Sequence, residues 1–176
     1  MKSGITAVVF LIMLASFGLT DRSSAGSDGL LSQPWFKHSN LDLRKDLSEA
    51  NADGKILAIL FEQQGYVYCQ QMYDVNFKEP EIVNFITGNF SVVQLDFRSH
   101  RSVTDTVGIT SEERLLARTY QVNGTLNIVF IDETGKQVYR MPGYAPPALF
   151  LAVFEFVKEK AYRTSTIQAW YREHRS

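Results

Sequence analysis

The consecutive apolar residues Ile56-Leu57-Ala58-Ile59-Leu60-Phe61 constrain this chain more than any other stretch. A run without polar alternation fits a strand buried on both faces, as in the middle of a helix-covered sheet. The rest of the chain must then supply the covering layers and the neighbouring strands.

The flanking sequence reads that way. Upstream, Leu41, Leu43, Leu47 and Ala50 suit one side of a short helix, with Ser39 and Asn40 as candidate caps and Gly54 as its stop. Downstream, the polar turn Glu62-Gln63-Gln64-Gly65 leads into a helix predicted from near Tyr66, with Cys69 in its first turn. Pro80 suits the first position of another helix, ending near Gly88, and Phe90 to Phe97 reads as a second strand. Arg98 to Ile109 is expected to be a polar loop. Thr110-Ser111-Glu112-Glu113 matches a capping box, which predicts a helix to about Gln121. Asn127 to Ile131 and Gln137 to Arg140 read as a hairpin around Asp132-Glu133-Thr134-Gly135. Pro146-Pro147 opens a helix carrying Leu149, Phe150, Val153, Phe154 and Val157. A last amphipathic helix is expected over Thr166 to His174, with Ile167, Trp170 and Tyr171 on its apolar side. This order predicts an α/β fold: a central mixed sheet of four to five strands, with helices on both faces, in one domain over residues 35–176.

Charge and metal chemistry narrow the function. Lys and Arg total 18 against 19 Asp and Glu, so there is no basic excess to favour nucleic acid. His38, His100 and His174 are far apart, and with one cysteine they match no zinc spacing. No metal and no cofactor is expected.

The N-terminus reads as an export leader over residues 1–25. Lys2 supplies the positive region, Ile5 to Leu19 an apolar run too short for a comfortable membrane span, and Ser23-Ser24-Ala25 a small-residue cleavage site after Ala25. An uncleaved membrane anchor is the alternative. Residues 26–34, rich in Gly and Ser, are expected to be flexible. The folded part is expected in the periplasm or secreted, off the membrane once the leader is cut. In such an oxidising compartment the lone Cys69 has no partner within its own chain.

Trp35-Phe36-Lys37, Leu41-Asp42-Leu43-Arg44, Leu60-Phe61-Glu62-Gln63 and Met141-Pro142-Gly143-Tyr144 carry a family resemblance spanning nearly the whole mature chain. The sequence resembles the thioredoxin-like proteins of the bacterial periplasm, in particular the thioredoxin encoded with sulfur-oxidation genes. The resemblance implies a thioredoxin-like fold and an active site of the Cys-x-x-Cys type after the first core strand. Here that stretch reads Tyr66-Val67-Tyr68-Cys69. Tyr66 stands at the nucleophile's position, Val67 at the usual proline, Tyr68 at the usual aromatic residue and Cys69 at the resolving position, facing the interior. The family's cis-proline loop, usually Thr-Pro, reads Thr125-Leu126. A cis bond before a non-proline residue costs about 2.5–4 kcal/mol, which favours trans here and makes cis the costly alternative. A reshaped loop is expected.

A disulfide reductase attacks with one thiolate and resolves with a second thiol. A phenol at position 66 cannot form the mixed disulfide, so dithiol turnover is not expected. The first reading is a binding or accessory module for a periplasmic protein or peptide, with Tyr66, Val67, Tyr68, Leu126 and Met141 as an apolar-aromatic surface and Thr125 beside it. The alternative is a thiol-disulfide oxidoreductase using Cys69 as a monothiol, which requires exposure and a depressed pKa. A third is a covalent dimer through Cys69.

Overall fold

Strand β1, Ile56–Glu62, lies between two neighbours that account for its lack of polar alternation: β2, Phe90–Asp96, runs parallel on one side and β5, Asn127–Ile131, antiparallel on the other. A computed structural model describes residues 29–175; the leader, its cleavage point and residues 26–28 lie outside them. β6, Gln137–Pro142, completes a mixed four-stranded sheet in the order β2-β1-β5-β6.

The period of two along β1 divides its side chains between two cores. Ala58 and Leu60 face one, with Ile128 and Phe130 from β5. That face is covered by α2 (Val67–Asp74), α3 (Pro80–Asn89), α5 (Pro147–Lys158) and α6 (Ile167–His174) through Met72, Ile86, Phe154 and Trp170. Leu57, Ile59 and Phe61 face the other, where α1 (Leu43–Ala52) and α4 (Glu113–Thr119) bring Leu47, Ala50, Leu116 and Ala117. Each large apolar side chain so buried contributes about 1.5–3 kcal/mol of transfer free energy, which is why the sheet's centre fixes the layering. The fold is the α/β arrangement that the sequence predicts.

Three local expectations fail. The N-cap of α1 is Asp42, whose carboxylate accepts from the backbone N–H of Arg44 and Lys45; Ser39 instead donates to the Asp46 carboxylate at 2.5 Å. Thr110-Ser111-Glu112 is not the first turn of a helix. It is a strand, β4, paired antiparallel with β3, Ser102–Thr104, inside the stretch expected to be a loop. Helix α4 starts only at Glu113, whose buried carboxylate takes two guanidinium bonds from Arg101, at 2.8 and 3.0 Å, rather than reaching back to a cap. The box motif is met in spacing, but tertiary pairing uses both ends of it elsewhere. Among the described residues no helix is long and apolar enough to cross a membrane.

Candidate functional site

The site grows from the C-terminal end of β1. Glu62 closes the strand, and the chain turns through Gln63-Gln64-Gly65 into α2. Gly65 sits at φ +72°, where a side chain would be strained even though the space around it is open. Tyr66 is the N-cap residue of α2 in extended conformation and makes no side-chain capping bond. The helical rotation that follows sorts the next residues: Val67 is 66% exposed, Tyr68 47%, and Cys69 only 3%. Cys69, Met72 and Tyr73 therefore point into the core, while Val67 and Tyr68 face solvent.

Beneath the helix lies a buried polar cluster. Glu62, 1% exposed, accepts from the Tyr73 hydroxyl at 3.1 Å and from the Gln94 carboxamide. Burial first, and then the neighbouring Glu62 carboxylate, push the Cys69 thiol up to about 12; the backbone N–H of Gln63 pulls the other way without prevailing. The same two causes raise the Tyr73 phenol. At pH 7 a thiol of that acidity is ionised in roughly one molecule in 10⁵. Cys69 is thus placed and charged as an interior apolar residue, not as an attacking thiolate.

The second segment that the resemblance assigns to the site is the loop before β5. The Thr125–Leu126 peptide bond is cis, not the trans form that residue type favours. Leu126 is fully buried, and its carbonyl accepts from the Gly143 N–H at 2.7 Å, fastening the loop to the end of β6. Leu126 and Met141, expected on the surface, lie within the core and offer their side chains to no partner. The exposed face consists of Val67 and Tyr68, flanked by the half-buried Tyr66 and Tyr144; Thr125, before the buried Leu126, is half-buried. Tyr68 stacks on Tyr144 with ring centroids 6.4 Å apart and planes 20° apart, and meets Tyr66 edge-on at 5.6 Å.

Sequence reasoning missed several of the residues that hold this arrangement. Glu62, Tyr73 and Gln94 form the cluster under Cys69, and a carboxylate ending an otherwise apolar strand was the available signal. Asn76, fully buried just after α2, donates to the Ala145 carbonyl at 2.9 Å and so anchors the residue beside Tyr144. Asn76→Ala leaves that carbonyl without its buried donor and is expected to cost about 1–3 kcal/mol, read as a lower midpoint in urea unfolding. An unchanged midpoint would show that the loop is held by other contacts. Among the described residues no group of three or more His, Cys, Asp or Glu could hold a metal ion.

Residues 43–158 match the thioredoxin-like domain family. Among solved structures, the chain is similar to a thioredoxin-fold protein from Helicobacter pylori, with 26% identity, a TM-score of 0.60, and coverage of 69% of this chain and 84% of that one. It is also similar to a thioredoxin from Thermus thermophilus, with 28% identity, a TM-score of 0.52, and coverage of 64% of this chain and 81% of that one. No curated protein matches it.

Proposed function

The chain belongs to the thioredoxin-like domain family, and from that premise we propose that it is an exported binding module that holds a periplasmic protein or peptide without turning over disulfides. The carrying observation is the inversion of polarity along one helical turn. The chain's only cysteine is buried at position 69, while Val67 and Tyr68 stand exposed beside Tyr66 and Tyr144. A dithiol enzyme needs an accessible thiolate and a second sulfur, and this chain has one cysteine. Aromatic residues with one wet edge are well suited to protein contact, since they give contact area at low conformational cost. Export rests on Lys2, the apolar run Ile5 to Leu19 and the small residues ending at Ala25. The resemblance to the thioredoxin encoded with sulfur-oxidation genes supports looking for the partner among proteins of that chemistry.

A photoreactive residue in place of Val67, used in cells that make the protein, tests the reading. A discrete adduct is expected that disappears when Tyr68 or Tyr144 is replaced by alanine. The reading fails if no adduct forms, if the adduct survives loss of both rings, or if the purified wild-type protein reduces insulin with dithiothreitol.

A further inference from the structure

The described structure begins with residues lying against the same end of the sheet. Leu30 is 1% exposed, although it falls in a segment whose composition reads as flexible. The Leu31 carbonyl accepts from the Gln94 carboxamide at 2.6 Å and lies 2.9 Å from the Tyr73 hydroxyl, whose one proton is shared between this carbonyl and Glu62; the Gln94 amide donates to both. Gly29, at φ +77°, passes so close to Gln64 that an added Cβ would lie 2.8 Å from its amide nitrogen. These three residues form one wall of a cavity of about 350 Å³ whose other lining includes Glu62, Tyr66, Val67 and Cys69.

We infer that Gly29–Leu31 is a strap closed over the Cys69 end of the sheet, and that seating or release of this strap sets whether the thiol meets solvent. The buried Leu30 side chain, the Leu31 carbonyl and a left-handed glycine at position 29 take part in seating it. On release, the Tyr73 hydroxyl and the Gln94 carboxamide keep the Glu62 carboxylate as an acceptor. With that wall removed, the cavity becomes an open cleft lined by Cys69. Tyr66 and Val67 line the same cavity, so a partner seated on the exposed face would press on its rim. That coupling rests on the proposed function; the strap itself does not.

The test is the alkylation rate of Cys69 by iodoacetamide at pH 8, followed by intact mass in the isolated protein. Leu30→Asp places a carboxylate in the apolar seat, and Gly29→Ala forces a side chain onto a φ of +77°, which L residues rarely adopt. Both are expected to raise the rate at least tenfold over wild type while the thermal melt of the sheet is retained. Hydrogen exchange should speed at residues 30–33 and stay slow in β1. The inference is overturned if neither variant labels faster, or if labelling rises only in step with global unfolding in a urea series. If Leu30→Asp does not fold, Gly29→Ala decides by the same readout. Because no partner is present, this outcome is separate from the cross-linking result.

Discussion

Tyr66→Cys is expected to turn a protein without reductase activity into one that reduces insulin disulfides in the presence of dithiothreitol. The introduced thiol would stand at the N-cap of α2, three residues before Cys69 and at the half-exposed edge of the site. The unsatisfied N–H groups of a helix N-terminus favour the thiolate there, where Cys69 has burial and the Glu62 carboxylate against it. The new thiolate would attack a substrate disulfide and form a mixed disulfide, expelling one substrate sulfur as thiolate. Cys69 would then attack the bridging sulfur, give up its proton to solvent, expel the remaining substrate sulfur, and leave a 66–69 disulfide for dithiothreitol to reduce. The expected rate is at least about tenfold above the dithiothreitol background, with wild type and Tyr66→Ser at background. The resolving step is the weak one, because Cys69 gives up its proton only near pH 12. Intact mass under turnover should therefore show the mixed disulfide accumulating. Activity equal in Tyr66→Cys and Tyr66→Ser would mean that the scaffold no longer presents position 66 to a substrate, and the kinship of this site with dithiol centres would fail.

The layering of the fold was legible because burial writes itself into consecutive residues. Ile56 to Phe61 reads as a doubly covered strand, and Pro80 and Pro147 sit where a missing N–H is harmless. What could not be read is what depends on a partner distant in sequence. Thr110-Ser111-Glu112 has the spacing of a helix cap, but Ser102–Thr104 and Arg101 claim its two ends. The seat of Leu30 depends on Tyr73 and Gln94, 42 and 63 residues beyond Leu31. At the site, the helical period correctly separates Val67 and Tyr68 from Cys69. The period is silent on Leu126 and Met141, which the resemblance puts on the surface but which lie in the core, Leu126 just before β5 and Met141 on β6. The Thr125–Leu126 bond is cis against the preference of its residue type, and the Leu126 carbonyl accepts from the Gly143 N–H, contacts that residue type alone does not convey.

The thiol of Cys69 is also expected to make the protein sensitive to alkali, in a way one substitution removes. An unfolded cysteine ionises near 8.5, whereas the folded one is held at about 12. Below the unfolded value both states carry the proton, and the folded state has its full stability. Between the two values only the unfolded chain gives the proton up, so the unfolded state binds fewer protons and stability falls as pH rises, by about 1.4 kcal/mol per unit. From pH 8.5 to 10 the loss is on the order of 2 kcal/mol from this group alone. Cys69→Ala lacks the proton and should lose less stability over that interval by the same amount, whatever constant penalty its smaller side chain brings at neutral pH. Glu62→Gln separates the two causes. Removing the carboxylate leaves burial in place, so the thiol should ionise below 12 but still above its unfolded value. Urea unfolding of the three proteins at pH 7.5, 8.5, 9.5 and 10 gives the slopes directly. Parallel slopes for wild type and Cys69→Ala would show that the thiol is as acidic folded as unfolded. A monothiol enzyme would then be the better account of the site, because the burial and charge that keep this sulfur inert would not be acting on it.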